Sequence, residues 1–424
     1  MINKFLQIFT VGDIRKKVLT VIVWLVVFRI LAAIPIPGIN PENLKSLFAS
    51  NQLFGFFNLF SGGALNNLSI AMLGVGPYIT ASIIMQLLTM IFPALKKMYY
   101  EDGPAGRAKF NRYSRYITVP LALLQSYGFL NLLISQQAIN PLSPIDMFKN
   151  VIIITAGSVI LMWIGEIISE QKIGNGISLL IFAGIISGLP NAVQAAFISY
   201  TPSILPTYLA FIVLSIVVIA GVVFISEGER KIPIAYSKRI RGNKVYGGVS
   251  TYLPLKVNQA GVIPIIFAIS ILLFPQFFAQ ISSIFAPDLS LRIQDLVTQF
   301  LNNQLIYGVI YFVLVVVFTY FYTSVSFDPQ EIAKNLQQSG GFIPGIRPGE
   351  PSGKFLGQIS NRITLFGALF LGLIAIAPIL TQSLTGIQTL TIGGTALLIV
   401  VSVALETMKQ LDSQLVIREY EGIK

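Results

Sequence analysis

Long apolar stretches separated by short polar segments recur along this chain of 424 residues. A helix needs about 20 mostly apolar residues to cross a bilayer. Ten stretches come close to this length or exceed it, and they lie at 18–34, 68–92, 116–135, 151–168, 177–197, 207–225, 260–281, 305–325, 363–384 and 390–408. Helices are expected because a helix satisfies its own backbone polar groups in lipid. The pattern predicts an all-α integral membrane protein with ten transmembrane helices, of which the fifth is the weakest because Gly188, Leu189 and Pro190 interrupt it.

The segment between the first two predicted spans fits neither a span nor an ordinary loop. Residues 56–69 read FFNLFSGGALNNLS. Gly62 and Gly63 break the segment too strongly for it to cross a bilayer, yet its apolar content is high for a loop in water. Irregular backbone at membrane depth is tolerated only inside protein or beside a water-filled cavity. Composition alone therefore predicts a re-entrant loop whose purpose is open.

The composition agrees with a membrane protein and excludes several kinds of chemistry. Hydrophobic residues make up 54% of the chain and charged residues 11%, against about 25% charged residues in soluble domains. With no cysteine and no histidine, disulfides, Cys/His zinc sites and histidine acid–base catalysis are excluded. Gly353-Lys354 is followed by Phe355, which is not a phosphate-binding loop. These absences leave carboxylates, Lys, Ser and Tyr as possible catalytic groups, and any work done against a gradient must be driven by something else. We expect no enzyme activity, no metal and no cofactor.

The basic residues predict the orientation of the chain. When the ten spans are threaded in order, 25 Lys and Arg residues fall on one side and three on the other, with Arg29 left inside the first span. Cytoplasmic loops carry the excess of Lys and Arg. This distribution predicts that both termini lie in the cytoplasm and that segment 56–69 lies on the opposite side of the membrane.

Acidic residues are rare in the predicted spans. Glu166 and Glu406 lie towards cytoplasmic ends, and no acidic residue lies at mid-depth. Charged groups inside a membrane usually mark ion or proton pathways, so a proton-coupled transporter is not favoured. We interpret both glutamates as interface residues with local partners.

Two cytoplasmic loops, 226–259 and 326–362, are longer than connectors require. In the first, apolar residues alternate at 232, 234 and 236 and Gly242-Asn243 offers a turn, which predicts a projecting hairpin. Arg239, Arg241 and Lys244 would lie at its tip. The second loop presents Arg347 in a stretch rich in turns. The charge serves either topology and lipid headgroups, or a large acidic or phosphate-bearing partner such as a ribosome or a motor protein.

Several motifs resemble one family in their order along the chain. They are SIAMLGVGPYITASIIMQLL at 69–88, FSGGAL at 60–65, GNGIS at 174–178, LPLKVN at 253–258 and PGIRPG at 344–349. Together with the ten spans and two long loops, they are similar to bacterial members of the SecY family over essentially the whole chain. The resemblance implies two inverted five-helix halves, 1–200 and 201–424, around an hourglass pore, with a plug half-helix at about 56–69. It also implies a location in the cytoplasmic membrane.

The family's functional positions carry over to residues of this chain. The resemblance implies an aliphatic pore ring at Val75, Ile79, Ile177, Ile181, Ile266 and Ile399. It implies a plug formed by Phe57, Asn58, Leu59, Phe60, Ser61, Gly62, Gly63, Ala64 and Leu65, with Phe57, Leu59, Phe60 and Leu65 towards the ring. It implies a lateral gate at Thr80, Gln125 and Phe274, and docking of the ATPase SecA or the ribosome at Arg239, Arg241, Lys244 and Arg347. From spacing alone, core packing explains the ring positions better than a pore does, and only the resemblance reverses this. Thr80 and Gln125 are equally well explained as satisfied structural polar groups.

Three functions remain to be distinguished. The resemblance implies a passive protein-conducting channel that passes unfolded secretory proteins and releases apolar segments sideways into lipid. Its implied partners are the membrane subunits SecE and SecG, SecA, the ribosome with its rRNA, signal sequences and preproteins, and membrane lipid. The alternatives are a secondary transporter for small solutes, which needs a polar site at mid-membrane, and an insertase or scaffold without a pore.

Overall fold

A computed structural model describes residues 11–37, 61–135, 139–198, 202, 205–236, 239–241, 244–246, 250–385 and 391–422. In these ranges the chain is mostly helical. The helices are α1 Gly12–Ala33, α2 Gly76–Ile91, α3 Pro93–Tyr100, α4 Gly103–Ser135, α5 Pro144–Glu170, α6 Gly176–Ile198, α7 Leu205–Glu227, α8 Ile263–Phe285, α9 Pro287–Asn302, α10 Gln304–Ser326, α11 Pro329–Gln338, α12 Glu350–Thr385 and α13 Thr391–Gly422. The strands are β1 Glu229–Tyr236, β2 Arg239–Arg241, β3 Lys244–Tyr246, β4 Ser250–Lys256 and β5 Gly341–Phe342.

Each of the ten predicted spans overlaps a described helix, and these helices are α1, α2, α4, α5, α6, α7, α8, α10, α12 and α13. By length and composition alone, five described helical stretches meet the requirement for crossing a membrane, or six when α2 and α3 are counted as one bent span. These five are Gly103–Ile134, Pro144–Glu170, Leu209–Glu227, Gln304–Gln338 and Glu350–Ala377. The outward faces are apolar, and α7 exposes Leu209, Ile212 and Val213. Apolar side chains that face outward fit a lipid environment.

The second predicted span differs from the structure at its beginning. We expected a helix over 68–92, but α2 begins at Gly76, and the residues before it form buried turns. Gly74 has a positive φ of 57°, and Pro77 stands in the first turn, where proline favours a helix start. At its other end, Pro93 starts a new helix at an angle of 112°, because proline cannot continue the hydrogen-bond ladder.

The two long loops form one small domain. β1 pairs antiparallel with β4, with Ile232 opposite Leu253, and β5 of the second loop pairs with the other edge of β1. Ile232 and Ile234 are buried, as their alternation predicted. A separate apolar cluster beneath this sheet includes Leu255 and Leu356. The predicted hairpin is confirmed by the pairing of β2 with β3, in which Arg241 lies opposite Lys244.

Candidate functional site: an aliphatic ring, a buried turn and a polar cavity

The six predicted ring positions belong to, or pack against, one large hydrophobic cluster that also contains core residues of most of the long helices. They come from the start of α2, from α6, from α8 and from α13. Val75, Ile79, Ile181, Ile266 and Ile399 are at most 5% exposed, and Ile177 packs against the same cluster as a partly buried residue. The fold therefore brings together, from both halves of the sequence, side chains that offer no hydrogen bond.

Ile177 sits against a glycine of a neighbouring helix. A Cβ on Gly165 of α5 would lie 2.5 Å from Cδ1 of Ile177. The absence of a side chain at Gly165 thus leaves space for the side chain of Ile177. The hydroxyl of Ser169, one turn further along α5, accepts the backbone N–H of Gly176 at 2.8 Å. These contacts hold the start of α6 in position.

The described part of the predicted plug, 61–65, lies buried beside this cluster. Ala64 and Leu65 are fully buried, and a short 3₁₀ turn covers Ala64–Asn67. Phe57, Asn58, Leu59 and Phe60 lie outside the described residues. Ala64 belongs to the cluster of the ring residues, whereas Leu65 belongs to a second cluster with Phe129 and Leu133 of α4. The expectation that Leu65 faces the ring is therefore wrong, because the left-handed backbone at Gly63 turns the next residues towards α4 and α5.

Backbone bonds fix the segment on both sides. Ile36, just after α1, donates its N–H to the carbonyl of Leu68 at 2.9 Å, and Ile70 donates to Ile34 at 3.0 Å. Gly157 of α5 lies so close to Ile70 that a Cβ on it would clash with the Ile70 carbonyl oxygen. The turns at 61–75 are thus held by α1 and α5 rather than by regular secondary structure.

A polar cavity lies where the end of β4, the start of α8 and α13 come together. Its volume is about 360 Å³, and Lys256 of β4 and Glu406 of α13 contribute to its wall. Three further lining residues have buried polar atoms for which the described residues provide no hydrogen-bond partner: Oδ1 of Asn258, Oε1 of Gln259 and Oγ of Ser402. Ser402 follows Ile399 by less than one helical turn. The cavity thus lies near the predicted ring position Ile399 along α13, although the described residues that line it include none of the six ring positions.

The predicted gate residues occupy different environments. The helix α8 contacts both α2 and α4, so the two halves of the sequence meet there. Thr80 donates its hydroxyl to the carbonyl of Gly76 in its own helix at 3.0 Å, as a satisfied structural polar group would. Gln125 is buried, and Phe274 is about half exposed.

At the end of α3, Tyr100 is near Asp328, which precedes α11 in the other half. Burial of the Tyr100 side chain raises its pKa to about 12, with smaller contributions from the electrostatic effects of Tyr99 and Asp328. The phenol is therefore neutral at physiological pH.

The two glutamates at span ends have the local partners that we expected. Glu166 accepts a hydrogen bond from Nη1 of Arg115 at 2.8 Å, and Glu406 accepts one from the amide of Gln410 at 3.4 Å. Among the described residues, no group of three or more Asp and Glu side chains could hold a metal ion. Neither glutamate is part of a charged site at mid-membrane.

The predicted docking residues lie on the small domain formed by the loops. Arg239, Arg241 and Lys244 belong to the β2–β3 hairpin. Arg347 is exposed, and its backbone carbonyl accepts a hydrogen bond from Ser352 at 2.8 Å. Gly345 and Gly349, on either side, have φ of 84° and 93°, in the left-handed region that favours glycine. The sequence analysis did not find that β5 joins the Arg347 loop to the sheet of β1 and β4, because a strand of two residues is too short to show a periodicity.

Comparisons with known proteins agree on one family. The family model described as SecY matches residues 69–408. "Protein translocase subunit SecY" of Streptomyces galbus is 43% identical over 442 aligned positions, covering 100% of this chain and 99% of the relative. The protein of the same name from Corynebacterium glutamicum is also 43% identical, with 99% of each chain covered.

Solved structures of channels share the fold. A structure described as "The structure of a protein conducting channel" superposes with a TM-score of 0.64 at 23% identity, covering 92% of this chain and 90% of that one. A second, described as "The plug domain of the SecY protein stablizes the closed state of the translocation channel and maintains a membrane seal", has a TM-score of 0.62 at 22% identity, with the same coverage. A third is described as "Sec61 in the Canine ribosome-channel complex from the endoplasmic reticulum", with a TM-score of 0.61 at 21% identity, covering 92% and 90%.

Proposed function

The chain belongs to the SecY family, and we propose that it is the pore-forming subunit of a protein-conducting channel. It passes unfolded secretory proteins across the cytoplasmic membrane and releases apolar segments sideways into lipid. The observation that carries this proposal is that six aliphatic residues from four elements belong to, or pack against, one buried cluster, which also contains Ala64 of the buried turn. Both termini and the small β-domain lie in the cytoplasm, as the distribution of basic residues supports.

The proposed ring seals the pore because of what it lacks. Val and Ile side chains neither donate nor accept hydrogen bonds, and a narrow hydrophobic constriction loses its water and excludes ions. The same side chains bind nothing specifically, so an extended polypeptide of any sequence can pass. A small-solute transporter would instead need polar groups or broken helices around a substrate at this depth, and the six ring positions supply none.

The polar cavity is the inner mouth of the proposed pore. An unfolded chain that enters the membrane loses water from its backbone N–H and C=O groups, and each unpaired group is costly. The cavity is lined by polar side chains, among them Ser178, Asn258 and Gln259, which can exchange hydrogen bonds with the backbone of such a chain. They accept from any residue, which suits a substrate of variable sequence.

The proposed halves, 1–200 and 201–424, separate at the lateral gate. α8 contacts α2 and α4 there, through surfaces that include Thr80, Gln125 and Phe274 in the proposal. Packing among mostly apolar helices in lipid depends on close van der Waals contact and a few polar groups. Such an interface can part when an apolar signal sequence offers comparable contacts, which gives that sequence a path into lipid.

The channel takes its energy from partners. We assign SecE and SecG as membrane partners, and SecA and the ribosome as partners of the small β-domain through Arg239, Arg241, Lys244 and Arg347. A ribosome-channel complex among the structural neighbours supports the ribosome assignment. Basic side chains on a projecting hairpin are suited to phosphate or acidic surfaces.

Deletion of 57–67 tests the proposed channel and its plug. The complex of the full chain with SecE and SecG is reconstituted into vesicles and planar bilayers. The parent should transport a preprotein into a protease-protected state when SecA and ATP are added. The deletion should leave a folded complex whose resting ion conductance rises by about tenfold or more, because a barrier change of only about 1.4 kcal/mol has that effect.

Two outcomes would contradict this account. Absence of preprotein transport by a fully assembled parent complex would remove the channel function. An unchanged closed-state conductance after the deletion would remove the plug, even if transport persists.

A further inference from the structure

Gly62 is packed between the Phe28 side chain of α1 and the backbone of Gly184 in α6. Its φ is 66°, and a Cβ on it would lie 2.5 Å from Cζ of Phe28 in α1 and 3.1 Å from Cα of Gly184 in α6. In the other direction, a Cβ on Gly184 would lie 2.0 Å from Cα of Gly62. Any side chain at position 184 must therefore displace Gly62, and the segment with it.

A charged side chain, that of Arg29, also contacts Gly62. Nη1 of Arg29 in α1 lies 2.5 Å from the carbonyl oxygen of Gly62 and donates to it. Arg29 is the one charged residue within the first predicted span, 18–34. Charged groups at membrane depth are costly and tend to face the protein interior, where they serve a function. In a left-handed turn the Gly62 carbonyl belongs to no helix or strand, and the guanidinium satisfies it.

We propose that Arg29 and Gly184 form a latch that holds the plug in its closed seat, with Gly62 as the residue that is held. This inference rests on the proposed function, because it presupposes that 61–65 belongs to a plug. The latch recognises backbone only: one carbonyl oxygen and one Cα. It therefore places little demand on the plug's side chains, and a passing polypeptide that supplies its own carbonyl to Arg29 can open it.

The position of the latch separates two movements of the channel. Arg29 and Gly184 both lie in the proposed half 1–200, whereas the gate lies where α8 of the other half contacts α2 and α4. Parting of the gate leaves both latch contacts in place, since neither crosses between the halves. Release of the plug is thus a second step, and it waits for a chain inside the pore.

Conductance of the reconstituted complex tests the latch. Arg29→Met removes the donor, and Gly184→Val inserts a side chain where Gly62 lies. Each should raise the resting conductance by about tenfold or more, and the double variant should be no leakier than the more conductive single variant, because both break one latch. Arg29→Lys should restore part of the seal, since an ammonium group can donate to the same carbonyl. The matched control is Gly188→Val, one turn along α6, where a Cβ has no atom within 4 Å.

Chemical labelling gives a second readout. The chain has no cysteine, so Ser61→Cys creates a single thiol at a position that is 1% exposed. A water-soluble maleimide should label it at least tenfold faster in the Arg29→Met and Gly184→Val backgrounds than in the parent. If the complex with Arg29→Met fails to assemble, the conductance and the labelling rate of the Arg29→Lys and Gly184→Val variants test the latch instead.

The outcomes separate the latch from the plug itself. One outcome would be that the channel with 57–67 deleted conducts ions, whereas Gly184→Val and the Arg29 variants that assemble stay closed and unlabelled. The latch would then be wrong, and the plug would stand. An equal leak from Gly188→Val and Gly184→Val would also overturn the latch, because it would indicate a general effect on helix packing.

Discussion

Replacing Ile79, Ile181 and Ile266 together with serine is expected to raise the resting ion conductance by about tenfold or more. These residues come from α2, α6 and α8, and each is at most 5% exposed. Serine removes most of each side chain's volume and adds a hydroxyl that binds water, so the constriction widens and wets. A barrier that depends on the absence of water falls when polar groups line it, and about 1.4 kcal/mol is enough for a tenfold change. Single-channel recording of the complex with SecE and SecG measures this.

A matched control separates the ring from the core in general. Leu130, Leu133 and Ile154 are fully buried too, but they belong to the second cluster between α4 and α5. Their replacement with serine should cost stability, typically about 2–5 kcal/mol for a large buried residue that becomes small, without opening a pore. Equal leaks from the two triple variants, or none from the ring variant, would show that the six aliphatic residues are ordinary core.

Arg347→Glu is expected to abolish most SecA-driven transport while leaving assembly with SecE intact. The side chain is exposed on a turn whose shape depends on Gly345, Gly349 and the bond from Ser352 to the Arg347 carbonyl. Since that bond uses the backbone, charge reversal leaves the turn in place. At an interface, loss of a buried charge partner costs about 2–5 kcal/mol, which corresponds to a loss of about 30-fold or more in binding. Protease protection of a preprotein at fixed SecA concentration measures the effect.

Lys354→Glu is the control for that variant. Lys354 lies near the start of α12 in the same loop, is exposed, and forms its ion pair with Glu350 at 2.9 Å. Both side chains of this pair are exposed, so water and salt screen it, and its reversal should change transport little. Full transport by Arg347→Glu would contradict the docking surface, and equal losses in both variants would indicate that only net charge matters.

Hydrophobic length was enough to find the long helices. The ten predicted spans all correspond to helices, and the fifth continues through Pro190 within Gly176–Ile198. Length could not locate the start of α2, because 68–75 is as apolar as the helix that follows. Only Gly74 and Pro77 mark the change, and both also occur inside membrane helices. The sequence analysis did not predict the amphipathic helix Pro287–Asn302. Its polar face lowers the average hydropathy of the segment to a value that is typical of a loop.

Contacts between segments that are distant in the sequence were harder to predict. The alternation at 232, 234 and 236 predicted the hairpin, but nothing in it indicates that β5 completes the sheet. Ring residues and core residues have the same composition and spacing, so the ring positions came from family resemblance. Arg29 and Gly184 each stand out in the sequence, as a charge in a span and as part of a GxxxG pattern. That they meet at Gly62 depends on three segments folding together.

Site-specific photo-crosslinking to a stalled preprotein tests the central claim most directly. A photoreactive residue is placed at Ile181 or Ile266 in the ring cluster, and at Ile154 in the second cluster as a control. With a preprotein halted midway by a folded domain at its end, the channel account predicts strong crosslinks from the two ring positions and none from the control. Crosslinks that are absent from both ring positions while transport proceeds would contradict it, because the translocating chain would then take another path.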